Sequence, residues 1–366
     1  MSEEHTNQEL SGTEEQPQLN PQTNQPVSEV ETAQLETQNE TAAENEYALR
    51  TPLSGFKATV QKVKDEIGLV IVGQENMVEL MMAAMLAEGH ILIEGVPGVA
   101  KTLASKLLAR TLEIPFSRIQ FTPDLMPSDV LGTSVFNAKT TEFEFRPGPI
   151  FSQVVLIDEI NRAPAKTQAA LFEVMEERQV TMDGTRHVMK APFLVIATQN
   201  PIEQEGTYRL PEAQLDRFMF KIEVGYPSPE EESRILMHHH NRKGINEIEA
   251  VNAILSAEKI LELQALVKEL HIEDKLMNYI VQIVNNTRNN KDIYLGASPR
   301  ASLNIMMGAK AIAAMRGRDF VTPEDIQFVS APVLRHRIVL TPEKEMEGAS
   351  TETVVKQMVE QVEVPR

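Results

Sequence analysis

A lysine followed by a threonine, Lys101-Thr102, and two adjacent carboxylates, Asp158-Glu159, are the residues of this sequence best suited to chemistry on a phosphate chain. The first pair closes the run Gly95-Val96-Pro97-Gly98-Val99-Ala100-Lys101-Thr102. Phosphate oxygens need unobstructed backbone N–H groups, which glycine supplies, and the positive end of a helix. Lys101 would then reach the β- and γ-phosphates, and the Thr102 hydroxyl would bind Mg²⁺. The strict form of this loop has glycine where this chain has Ala100. A methyl group fits there where the backbone φ is negative. The carboxylates end the run Val154-Val155-Leu156-Ile157-Asp158-Glu159. Asp158 would hold the Mg²⁺ shell, and Glu159 would polarise the water that attacks the terminal phosphate. Taken alone, an acidic pair after a strand can simply cap the next element; its company with the glycine-rich loop gives it the chemical reading. A third run, Val195-Ile196-Ala197-Thr198-Gln199-Asn200-Pro201, offers Asn200 to orient that water or to touch the γ-phosphate. Alone, an asparagine before a proline reads equally well as a turn.

Each of these groups sits at the end of a short apolar run, so the runs must be the elements that aim them. His90 to Ile93, Val154 to Ile157 and Phe193 to Ala197 read as strands, and Lys101 to Leu112 as an amphipathic helix. Strand, loop and helix in alternation predict a parallel sheet covered by helices, with ligands at the C-terminal ends of the strands. Met77, Leu80, Met81 and Met85 recur at helical spacing over 75–88, which reads as core packing. Val135 to Phe145 and Val180 to Val188 read as β-hairpins, the second turning at Asp183-Gly184. After Tyr226 the pattern is helical throughout, at 229–240, 257–270, 273–288, 300–316, 323–331 and 351–361. Ser228-Pro229-Glu230-Glu231 and Thr322-Pro323-Glu324-Asp325 start two of these with a capping residue and proline at the first helical position. The expected organisation is therefore a tail over 1–46, an α/β nucleotide-binding domain over 47–226 and an all-helical domain over 227–366.

Composition narrows the function classes. The 366-residue chain has a formal net charge of −18 and no cysteine, which excludes disulfides, thiol catalysis and cysteine-based zinc sites. Residues 1–50 carry 11 Glu and one Arg, a net of −10, leaving −8 for the rest. The first 46 residues are almost free of large apolar side chains and read as disordered, because burial cannot offset the entropy of ordering them. An acidic chain is a poor nucleic-acid binder, since neutralising phosphates takes lysine and arginine. No signal-peptide pattern and no run of about 18 apolar residues is present, which with the absent cysteines directs the reading to the cytoplasm. His238-His239-His240 invites a metal reading, but consecutive helical residues point about 100° apart and cannot all face one ion.

The order of these motifs resembles the AAA+ ATPases, and within them the MoxR family. The residues that carry the resemblance are GVPGVAKT at 95–102, VLIDEINRAP at 155–164, ATQNP at 197–201, LPEAQLDRF at 210–218 and GASPRA at 296–301, and it extends over about 48 to 366. The family tolerates alanine before the loop lysine. The resemblance implies ATP with Mg²⁺ as ligands and hydrolysis of ATP. It implies a homo-oligomeric ring, a hexamer, and a chaperone-like motor that remodels or matures clients, often ones with a von Willebrand factor A domain. It makes Arg217 the arginine finger that reaches a neighbouring subunit's γ-phosphate, and Arg300 the second sensor, on the helical lid. Whether Arg300 serves its own subunit or a neighbour is left open. Ser298 would cap the helix that carries Arg300, with Pro299 at its first position. Val72, Gly73 and Gln74, after Ile71, match the segment that contacts adenine, and the hairpins match insertions aimed at the ring pore or the substrate. Arg162 is a candidate contact to a neighbouring subunit. Three other classes stay open: a metal-chelatase motor subunit, a nucleic-acid motor, and a scaffold that binds nucleotide but barely hydrolyses it. The intact Glu159 argues against the last.

Overall fold

A computed structural model describes residues 53, 55–200, 208, 210–242 and 246–365. The acidic tail over 1–46, the boundary at Tyr47 and Pro201 lie outside the described residues. In chain order the strands are β1 (Ile91–Gly95), β2 (Phe116–Gln120), β3 (Gly132–Asn137), β4 (Glu142–Pro147), β5 (Val154–Asp158), β6 (Gln179–Met182), β7 (Thr185–Val188), β8 (Leu194–Gln199), β9 (Phe220–Val224), β10 (Ile293–Leu295) and β11 (Val339–Leu340). Five of them form one parallel sheet in the order β2-β5-β8-β1-β9. The register sets Gln120 beside Asp158, Ile157 beside Ala197, and Ile93 beside Thr198. All the polar strand ends thereby reach the same edge of the sheet.

Both faces of the sheet are buried, because residues alternate from one face to the other along each strand. Leu92, Val155, Ile157, Val195 and Ala197 join one core with Phe121, Leu171, Phe172 and Phe218. Ile91, Ile93, Val154, Leu156, Leu194 and Ile196 join the other, larger core. That second core takes in Met77, Leu80, Met81 and Met85 of the helix Glu75–Leu86, so the methionine stripe is indeed packing. It runs on through Ile260, Ile283, Ile305, Ile312 and Val355 of the C-terminal helices, so the helical part shares one apolar interior with the sheet. Burying each such aliphatic side chain contributes roughly 1.5–3 kcal/mol.

The two hairpins form as the pattern predicts, β3 with β4 and β6 with β7. Asp183 (φ 50°) and Gly184 (φ 76°) are both left-handed, as a tight two-residue hairpin turn requires. The edge strands β2 and β9 carry no continuous apolar run and are additions to the predicted set; in β2 only Ile119 is buried. The helical region holds a further addition, the antiparallel pair β10–β11. The helix predicted to stop at 331 runs instead from Pro323 to Leu334, through Pro332. Residues 329–334 are all buried there, and burial holds the turn that proline would otherwise break. Among the described residues no helix is long and apolar enough to cross a membrane.

Candidate functional site

A cleft of about 370 Å³ opens at the C-terminal edge of β1, β5 and β8, lined by Pro97, Gly98, Ala100, Lys101, Thr102, Leu103, Arg118, Gln120, Asp158, Glu159, Thr198 and Asn200. Sequence reasoning placed Lys101, Thr102, Asp158, Glu159 and Asn200 on three separate motifs, and the sheet brings all five to this one cavity. The loop from Gly95 to Ala100 joins β1 to the helix Lys101–Thr111. At Gly95 a Cβ would lie 2.6 Å from the Val224 carbonyl oxygen, so only glycine lets the loop leave the sheet there. Gly98 has φ 88°, and nothing lies within 4 Å of where its Cβ would be, so its backbone faces open space. Val99 is buried in the core, and Val96 packs against it, which anchors the loop from behind.

Ala100 corrects one expectation. Its φ is 59°, left-handed rather than negative. Alanine in that region costs roughly 1–2 kcal/mol that glycine would not. The methyl group is accommodated by strain, not by a relaxed backbone. Glu159 is left-handed as well (φ 57°, ψ 53°). Its carboxylate is thereby turned off the line of β5, in a conformation of the kind that persists only where surrounding structure enforces it.

The charges in the cleft are held by a network. The Lys101 ammonium donates to the Gly95 carbonyl and, at 3.4 Å, to the Gln199 carbonyl. The buried Asp158 carboxylate accepts from the Thr102 hydroxyl (3.3 Å) and the Thr198 hydroxyl (3.1 Å), and its other oxygen pairs with Arg118 Nε at 2.6 Å. Glu159 Oε2 accepts from Gln120 Nε2 at 2.7 Å and lies 3.0 Å from Arg162 Nε, while the Glu159 backbone N–H donates to Thr198 Oγ1. Arg162, read as a contact between subunits, thus pairs with Glu159 inside its own chain. Arg118, Gln120 and Thr198 were missed by sequence reasoning. Arg118 and Gln120 lie two apart on β2 and so share a face, a spacing that carries a signal only where β2 is taken as a strand. The donor set fits a hard divalent cation, since Thr102 and Asp158 present oxygens and, among the described residues, no sulfur or imidazole lines the cleft.

Other candidates lie elsewhere. Gly73 and Gln74 line a second cavity of about 490 Å³, together with Glu223, Phe328, Arg335 and Glu352, and Val72 is buried beside them. Gly73 (φ 77°) makes room for the Glu231 carboxylate, which a Cβ would meet at 2.3 Å. Glu231 completes the predicted capping box by accepting from the Ser228 backbone N–H at 2.8 Å. Arg217 and Arg300 line neither cavity. Both turn to one carboxylate, Glu176, at 2.8 Å and 3.3 Å. Arg217 also donates to the Phe172 carbonyl at 2.6 Å. Ser298 stands at the N-cap of the helix Pro299–Met315, but its hydroxyl makes no cap bond; it donates to Asp216 Oδ2 at 3.1 Å instead. In the triple-histidine run, His238 contacts the Leu69 carbonyl at 3.3 Å, and no metal-ligating cluster of three occurs among the described residues.

Residues 90–220 match the family model described as the ATPase family associated with various cellular activities (AAA), and residues 285–358 match the AAA lid domain. The chain is 47% identical over 304 residues to an uncharacterised protein, YeaC, of Bacillus subtilis (strain 168), covering 83% of this chain and 94% of that one. It is 46% identical over 317 residues to the chaperone MoxR1 of Mycobacterium tuberculosis, covering 84% and 83%, and 30% identical over 312 residues to the protein MoxR of Paracoccus denitrificans, covering 79% and 91%. The crystal structure of a proposed ATPase from Cytophaga hutchinsonii superposes with a TM-score of 0.79 at 41% identity, covering 90% of this chain and 99% of that one.

Proposed function

The chain belongs to the MoxR family of AAA+ ATPases, and from that premise we propose that it hydrolyses ATP in the cleft of Lys101 and Glu159, as one subunit of a cytoplasmic six-membered ring that remodels client proteins. The observation that carries this reading is the convergence of Lys101, Thr102, Asp158, Glu159 and Asn200 on one cavity. The backbone N–H groups from Gly98 to Thr102 and the Lys101 ammonium receive the phosphates. Thr102 and Asp158 would hold Mg²⁺, which would supply charge neutralisation at the phosphate chain. Asn200 orients a water, and Glu159 accepts its proton. The water oxygen bonds to the γ-phosphorus while the bond to the bridging oxygen breaks, releasing ADP and phosphate. Arg217 lies outside its own chain's cleft, which supports its service to a neighbouring subunit's γ-phosphate, and Arg300 lies beside it on the shared Glu176. Clients with von Willebrand factor A domains are the class that the MoxR resemblance favours.

Glu159→Gln separates binding from chemistry. The amide still positions the water but cannot take its proton, so ATP binding stays and turnover drops by ~100-fold or more, a loss of about 2.7 kcal/mol of transition-state stabilisation. Near-normal phosphate release by this variant would remove Glu159 from its role. Client capture by the same variant in ATP tests the remodelling claim. Titrating Arg217→Ala into wild-type chain at fixed total protein tests the trans finger. Activity is expected to fall faster than the mutant fraction rises, and a straight line in subunit-exchanging rings would sink the assignment.

A further inference from the structure

We propose that Arg337 is a positioning residue for the arginine finger: its buried guanidinium clamps the main chain around Arg217, through Asp216, to the helical region that carries Arg300. The inference rests on the reading of Arg217 as a finger that serves a neighbouring subunit.

Arg337 follows the helix Pro323–Leu334, 120 positions along the chain from Arg217, and its side chain is 1% exposed. A guanidinium has five N–H donors in a rigid fork, and all five find acceptors. Nε meets Asp216 Oδ1 at 2.6 Å. Nη2 donates to the carbonyls of Asp216, at 2.9 Å, and of Phe218. Nη1 donates to the Met219 carbonyl at 3.2 Å and to the Val333 carbonyl of the preceding helix. The residues flanking Arg217 on both sides are thus held by one side chain, while Arg217 itself turns to Glu176 and the Phe172 carbonyl. The adjacent His336 adds a contact to the Phe218 carbonyl at 3.0 Å. Asp216 also accepts from the Ser298 hydroxyl at 3.1 Å, at the start of the helix whose first turn bears Arg300. Asp216 on one side and Glu176 on the other therefore tie Arg217 and Arg300 into a single unit.

A purely stabilising role does not call for this residue. A buried ion pair is often no better than well-packed apolar side chains, because desolvating the charges offsets their attraction. What the fork adds is direction, fixing several carbonyls at set angles. Motion of the helical region would then move the finger with it, which links the lid of one subunit to hydrolysis in the next.

The test uses the full chain. Arg337→Lys keeps the charge but replaces the fork with a point donor. Ser298→Ala removes one bond from Asp216 and leaves the buried pair intact, so it remains informative if the lysine variant does not fold. Both variants are expected to lose kcat, about tenfold for Arg337→Lys and ~3-fold for Ser298→Ala, with KM for ATP within about twofold of wild type, because each chain's own cleft is untouched. Each is then mixed with Lys101→Ala chains, which lack a phosphate site but offer an intact finger. Mixed rings should release phosphate faster than the sum of the two pure variants. Arg217→Ala mixed with Lys101→Ala is the control. If the control recovers activity and neither variant does, the positioning role is overturned while the trans finger stands. Unchanged kcat in a folded Arg337→Lys chain also overturns it. If the control fails to recover, the trans reading falls and takes this inference with it.

Discussion

Asp158 shows how a single carboxylate can be contested in this cleft. Its oxygens face the Thr102 and Thr198 hydroxyls on one side and Arg118 on the other. A divalent cation held by Thr102 and Asp158 would share that carboxylate with a guanidinium 2.6 Å away. Arg118 is about half exposed, so solvent screens it and the competition is modest. Arg118→Gln is expected to lower the Mg²⁺ concentration for half-maximal ATPase activity a few-fold, roughly 1 kcal/mol. Titrating Mg²⁺ against phosphate release at saturating ATP checks this; an increased Mg²⁺ requirement would show instead that Arg118 assists the cation. Ala100 and Glu159 teach a related lesson, since each lines the cleft in a left-handed conformation. The surrounding loop and strand enforce what neither residue prefers.

At the scale of elements, β1 enters the sheet through a histidine that burial keeps neutral near pH 7. His90 is buried between β8 and the helix Ala165–Glu177. The Val195 backbone N–H donates to its Nδ1 at 3.1 Å, so Nε2 carries the proton and donates to the Met175 carbonyl at 3.0 Å. Burial, aided by the nearby Arg178 and Arg300 charges, pushes its pKa from 6.5 down to about 4, although the bond to Met175 opposes the shift. Between those values only the unfolded chain takes up this proton. The stability due to neutral His90 is therefore complete above pH 6.5 and is lost as the pH falls toward 4, by about 3 kcal/mol in all. His336 is lowered by burial too and steepens the fall. Urea unfolding midpoints from pH 7 to 4.5 should drop more steeply for wild type than for His90→Asn, so that the gap between them narrows. Parallel curves would show that His90 does not titrate in this window.

For the whole molecule, the shared core predicts shared unfolding. The helix Pro299–Met315 crosses β9 at Gly308, where a Cβ would sit 3.0 Å from Phe220 Cζ and 3.4 Å from Met219 Cε. Glycine here sets how closely the helical region docks onto the sheet. Gly308→Val should force the two apart and destabilise by about 1–3 kcal/mol. Because the same apolar cluster runs from Met77 through Phe220 to Val355, calorimetry should show one transition moved to lower temperature. Two resolved transitions with only one displaced would show that the sheet and the helices unfold independently.

Local signals were enough to predict the glycine-rich loop, the carboxylate pair, both hairpins and most of the helices, because each depends on neighbours within a few residues. Apolar runs marked β1, β5 and β8, and capping residues marked where helices begin. The edge strands were not legible: a strand buried on one side only, such as Phe116-Ser117-Arg118-Ile119-Gln120, has no apolar run to announce it. With β2 went Arg118 and Gln120, which reach the cleft through its register against β5. Tertiary structure alone decided the sign of φ at Ala100, the diversion of the Ser298 hydroxyl to Asp216 and the pairing of Arg337 with a segment far away in sequence. Local sequence can nominate a group for chemistry, but its partner is chosen by whichever distant segment the sheet order and the core bring within about 3 Å of it.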